Sequence, residues 1–169
     1  RNSSMAGSMR QLDSITLDIV AMVFDYILDD RRIPDALKAL IGLKKYGEAL
    51  EIAHKIPGMD RNMEVQALVA FCLKQQGQYE GMEKAVQRWR SLEPKDPSSY
   101  LFLAQHAVDL KDNARADEEL QKMVAANHEN QQLALFRAQA LDRLGMVREA
   151  GDAFDGLPPE PAFLTAKSD

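Results

Sequence analysis

Residues 63–96 read MEVQALVAFCLKQQGQYEGMEKAVQRWRSLEPKD, residues 97–130 read PSSYLFLAQHAVDLKDNARADEELQKMVAANHEN, and residues 131–157 read QQLALFRAQALDRLGMVREAGDAFDGL. Laid under one another at a spacing of 34, they say the same thing. Gly77 stands over Lys111 and Gly145, Met82 over Ala116 and Ala150, Val86 over Leu120 and Phe154, and Trp89 over Met123 and Leu157. A fixed period of this length marks arrays of helix–turn–helix units, which bury their apolar faces only by stacking. The repeat predicts an all-α array. Stacked helix pairs make a curved surface of the kind that holds other proteins, so the expectation is a binding module and not an enzyme.

The local signals agree with the period. Helices are predicted over 64–76, 79–92, 98–110, 114–126, 131–144 and 147–154, with Gly77, Pro94 and Gly145 as stops. Upstream, 35–43 and 46–56 read as a further pair, opened by Pro34 and closed by Pro57-Gly58. Within each pair the apolar spacing is helical: Val69 and Leu73 face Met82, Val86 and Trp89, and Leu103 and Ala107 face Ala116, Leu120 and Met123. Ala138 and Leu141 likewise face Ala150, Phe154 and Leu157. Small residues recur where helices approach closely, at Ala70, Ala104 and Ala138 on first helices and Ala49, Ala116 and Ala150 on second helices. No strand pattern is present in the sequence.

Before the repeats lies Ile15–Leu28, apolar on nearly every side of a helix, with Asp13-Ser14 placed to cap it. It is too short to span a bilayer and carries Asp18 and Asp25, so no membrane insertion is expected. Residues 1–9 read as an expression-vector leader. The expected organisation is a leader (1–9), an apolar helix (10–30), repeats over 31–62, 63–96, 97–130 and 131–157, and a Pro-rich tail (158–169). The tail lacks the polar helix that closes such arrays, so it folds back, the array continues, or a neighbour covers the end.

At 169 residues and a net charge of −5 the chain fits one acidic domain. The balance argues against a nucleic-acid partner. One cysteine, Cys72, makes no internal disulfide and reads as a small core residue of a cytoplasmic protein. His54, His106 and His128 are scattered and read as surface or partly packed side chains, so no metal or cofactor is expected. Glu118-Glu119 reads as solvated. No glycine-rich phosphate loop, nucleophile elbow or zinc pattern occurs.

Gly77-Gln78-Tyr79, Pro94, Tyr100, Leu103-Ala104, Ala116, Gly145 and Ala150 together resemble the tetratricopeptide repeat, from about Pro34 to Leu157. The first repeat carries the pattern chiefly in Tyr46-Gly47-Glu48-Ala49-Leu50. Met82 departs from it at a small-residue position, Lys111 at the turn glycine and His128 at the usual proline. The resemblance implies a right-handed superhelix whose first helices line a concave groove. It makes the candidate partner-binding residues Ala67, Leu68, Phe71 and Lys74, then Leu101, Phe102, Gln105 and Val108, then Leu135, Phe136, Gln139 and Arg143. These form an apolar strip too large to stand open on a soluble monomer. The positions that grip a C-terminal carboxylate in some relatives hold Pro34, Lys38, Val69, Ser98 and Phe102 here, and only Lys38 suits that role.

Residues 12–42, including Leu17-Asp18-Ile19-Val20-Ala21-Met22 and Pro34-Asp35-Ala36-Leu37, resemble a segment of an uncharacterised proteobacterial family. Two origins are compatible with this: a native helical extension, or a fusion of that family's helices to a repeat domain. Two placements of the apolar helix are also open. Either Ile19, Val20, Val23, Phe24 and Ile27 fill the groove, in cis or from a second copy, or the helix caps the first repeat and leaves the groove to another protein. The expected function is a scaffold that binds a helical or extended apolar segment of a partner. The alternatives are a chaperone shielding an exported protein's apolar segment and an oligomerisation unit driven by the N-terminal helix.

Overall fold

The computed structural model describes residues 35–158. The leader, the apolar helix expected over 10–30, Pro34 and the tail from 159 onward lie outside the described residues. The described chain is all-α. Its helices are α1 (Asp35–Gly42), α2 (Tyr46–His54), α3 (Met63–Gln75), α4 (Tyr79–Leu92), α5 (Pro97–Asp109), α6 (Asn113–Ala126), α7 (Gln131–Arg143) and α8 (Val147–Asp155). A 3₁₀ turn, Met59–Arg61, joins the first pair to the second. Strong packing runs between helices adjacent in the chain, so the molecule is a row of four antiparallel pairs.

One turn closes all four pairs. The residue two places before each second helix has positive φ: Lys44 (61°), Gly77 (75°), Lys111 (64°) and Gly145 (82°). The next amide in each case donates back across the turn: Lys45 N to Leu40 O, Gln78 N to Leu73 O, Asp112 N to Ala107 O, and Met146 N to Leu141 O, at 2.8–3.0 Å. This is the six-to-one bond of a Schellman ending, which satisfies a carbonyl the helix leaves unpaired. Lys111, a departure from the repeat pattern, takes the same backbone shape as the glycines and bears the cost of a side chain there.

The first helices of the last three pairs share a start as well. Asn62 accepts from Val65 N, Asp96 from Ser98 N and Asn130 from Gln132 N, at 2.9–3.1 Å. Each is an N-cap, and the three are spaced 34 apart. The core follows the predicted faces. Ala49, Ala70, Ala104, Ala116, Ala138 and Ala150 are all buried, as are Met82, Val86, Trp89, Leu103, Leu120, Met123 and Leu141. Met82 replaces a small residue yet is fully enclosed. Phe154 departs from expectation: it is 41% exposed, where Val86 and Leu120 at the same register are sealed. Those two have a following pair beside them among the described residues, and Phe154 does not.

Candidate docking face

The pairs are locked together by charges. Arg90 on α4 reaches Glu119 on α6 at 2.7 Å, also bonds Ser99, and lies 3.9 Å over the Tyr100 ring. Arg115 on α6 makes a two-pronged contact with Glu83 on α4, and Arg137 on α7 does the same with Asp117 on α6. Lys74 on α3 reaches Asp109 on α5 at 2.8 Å and His106 Nδ1 at 3.3 Å. Glu119 was expected to be solvated with Glu118. Its side chain is instead 1% exposed, because it turns into the seam to meet Arg90, while Glu118 faces out.

Around α5 these contacts divide the helix surface into three stripes. Ser99, Phe102 and His106 face the second pair: Ser99 receives Arg90, the Phe102 ring meets the Trp89 ring edge-on at 5.8 Å, and the His106 ring meets Tyr79 at 4.4 Å. Tyr100, Ala104 and Ala107 cluster with Ala116, Leu120 and Met123 of α6, while Leu103 joins Phe102 in the cluster of the second pair. Ser98, Leu101, Gln105 and Val108 form a third stripe, whose apolar members Leu101 and Val108 pack in one cluster with Phe136 and Ala140 of α7.

The candidate groove residues therefore separate into two groups. Leu68, Phe102 and Phe136 share one register and are buried in the core between pairs. Phe102 packs with Trp89, and Phe136 joins Leu120 and Met123 in one cluster. They are wedges between hairpins, and their place in an open strip is corrected accordingly. Phe71 is half-buried and packs edge-on against Tyr46 at 5.9 Å. The rest fall on or beside the third stripe: Ala67 and Lys74 on α3, Leu101, Gln105 and Val108 on α5, and Leu135, Gln139 and Arg143 on α7. At the α3 and α5 positions this strip is closed. Ala67, Leu101 and Val108 are at most 1% exposed and Gln105 is 5% exposed. On α7, Leu135 and Gln139 are half-buried and Arg143 is exposed. Ile19, Val20, Val23, Phe24 and Ile27 lie outside the described residues.

The polar groups on this face are mostly satisfied. Gln105 Nε2 donates to Asp109 at 3.0 Å, and its buried Oε1 accepts from none of the described residues. His106, expected to be at most partly packed, is 3% exposed. Burial, and secondly the Lys74 charge, push its imidazole down to about 4. The Arg115 bond holds the Glu83 carboxyl below its ordinary value. Cys72 is buried as expected, and burial pushes its thiol up to about 12. No cluster of three or more His, Cys, Asp or Glu side chains placed to hold a metal occurs among the described residues. Nor is any described helix long and apolar enough to cross a membrane.

Residues 1–43 match a family model described as the second domain of a protein of unknown function, DUF1631. That stretch ends just before the first hairpin turn, so α1 is the only described helix inside it. No curated protein and no solved structure matches the chain. From α2 onward the molecule is a helical hairpin array carrying no family match.

Proposed function

We propose that the array is a docking scaffold in which the third stripe of the first helices clasps an apolar helical segment of another protein. The observation that carries this reading is the accessible end on α7, Leu135 and Gln139, of the register that runs along α5 as Leu101 and Gln105. On α5 its apolar members Leu101 and Val108 are closed by Phe136 and Ala140 of α7, and on α7 the same register stands half open at Leu135 and Gln139. A helix laid in a groove is an established recognition mode, and covering a fully exposed Leu contributes roughly 1.5–3 kcal/mol, of which the half-open Leu135 retains a part. The likeness of residues 34–157 to tetratricopeptide repeats, with their right-handed superhelix and concave first-helix surface, supports the same reading. So does the acidic charge, which disfavours nucleic acid as the partner. A lone buried thiol fits work in the reducing cytoplasm.

The test is selection of apolar helical peptides on the immobilised full chain, followed by titration against variants on the accessible end of the stripe. Leu135→Glu and Gln139→Lys are expected to leave helicity unchanged and to weaken selected binders at least tenfold. Binders indifferent to both substitutions, or failure to select any, would overturn the reading.

A further inference from the structure

We infer that α8 is a self-association face: two copies of the chain meet through their last helices, antiparallel, about a two-fold axis that crosses beside Gly151. This contact lies apart from the α7 register assigned above to a foreign helix.

The second helices of the two middle pairs each use three positions to hold the pair that follows. At the first, the Tyr79 ring meets the His106 ring of α5 at 4.4 Å, and Asn113 Nδ2 donates to Leu144 O at the end of α7. At the second, Glu83 binds Arg115 of α6 and Asp117 binds Arg137 of α7. At the third, Val86 is sealed in one cluster with Phe102, and Leu120 in one with Phe136. The same three positions on α8 are Val147, Gly151 and Phe154. The first two have lost their polar groups, including the carboxylate that receives an arginine from the next pair. So α8 keeps the stacking face of the array but lacks the groups by which the array grips another of its own hairpins.

What α8 presents instead complements itself. Val147, Gly151 and Phe154 lie at i, i+4 and i+7, on one side of the helix. Val147 is 71% exposed and Phe154 41% exposed. Between them Gly151 leaves a notch, with no neighbouring atom within 4 Å of where a Cβ would stand. Arg148 and Asp155, both exposed, stand seven residues apart on one flank of this stripe. In an antiparallel two-fold pair each flank meets the same flank of the other copy. Arg148 then stands opposite Asp155 of the second copy, and by symmetry the contact occurs twice. In that register Phe154 lies about 3 Å along the axis from Gly151 of the second copy, within reach of the notch. A parallel pair sets the charged flank against Ala150 and Ala153, where Arg148 finds no carboxylate. Two helices of nine residues bury an area below that of standard interfaces, so a weak dimer is expected.

Sedimentation velocity of the full chain tests this. The mass is expected to rise from one chain to two, half-way at a concentration on the order of tens of micromolar. Gly151→Leu fills the notch with a better helix former and is expected to weaken the dimer about tenfold with helicity retained. Arg148→Glu and Asp155→Arg each set like charges together at both contacts and are expected to weaken it about as much. The double variant Arg148→Glu/Asp155→Arg, and an equimolar mixture of the two single variants, are expected to restore it. A single-chain mass throughout, the result if residues 159–169 or a different protein cover α8, would overturn the inference. So would assemblies that grow past two chains, a dimer unchanged or strengthened by Gly151→Leu, or charge variants that the swap does not rescue.

Discussion

At the scale of single residues, the strain and the seams decide most of what can be measured. Lys111 holds φ at +64°, a shape that costs an L-residue roughly 1–2 kcal/mol and glycine nothing. Glycine's greater freedom in the unfolded chain offsets about 0.4–1 kcal/mol of that. Lys111→Gly is therefore expected to stabilise the protein by up to about 1 kcal/mol in urea titration, and an Ala substitution to do little. Glu119 sits at the opposite extreme: a buried carboxylate whose partner Arg90 is itself 12% exposed. Glu119→Ala leaves a guanidinium enclosed without its charge partner, which costs about 3 kcal/mol or more, while Glu118→Ala on the adjacent exposed position should change stability by less than about 0.5 kcal/mol.

His106 adds a pH dependence of defined sign. It is neutral in the folded state down to about pH 4, whereas in the unfolded chain it takes up a proton near 6.5. Between those values the unfolded state binds the extra proton, so stability falls as pH drops from above 6.5 toward 4 and this contribution is flat below. Lys74 on α3, Tyr79 and Glu83 on α4, Asp109 on α5 and Arg115 on α6 surround it. Against His106→Gln, the parent should lose roughly 2–3 kcal/mol more across that window. Parallel pH curves for the two proteins would contradict the assigned burial.

Among elements, the array was largely legible because each hairpin repeats its own punctuation. Turn glycines, proline stops and buried alanines placed the helices to within about two residues. The N-caps Asn62, Asp96 and Asn130 recur at the same period and were available to the same reading. Each to Ala is expected to cost about 1 kcal/mol, seen as a lower midpoint with an unchanged denaturant slope. What the pattern could not resolve was direction around the helix. Phe102 and Leu101 are neighbours in sequence, equally apolar, and differ by about 100° around the axis. One wedges against Trp89 and the other faces the third side. Only the partners of Ser99, Phe102 and His106 separate them, and those lie on another hairpin. The same reason hid Glu119: its partner is 29 residues away, on the preceding pair.

For the molecule as a whole, the row of pairs has two unlike ends. The middle pairs are enclosed on both sides, while α8 shows Val147 and Phe154 to water. In a linear array each pair is held only by its neighbours, so amide exchange is expected to be slowest in α3–α6 and fastest in α8. Cys72 on α3 offers a simple reporter. Its thiol, buried and held near 12, should resist iodoacetamide until the second pair opens.

The central claim is that the third stripe of the first helices is a seat for an apolar helix. Methyl-labelled NMR of the full chain in the presence of a selected helical peptide tests it most directly. The account predicts intermolecular nuclear Overhauser contacts from the Leu135 methyls to the peptide, with the Val147 methyls silent. Contacts from Val147 alone, with Leu135 unmoved, would contradict it.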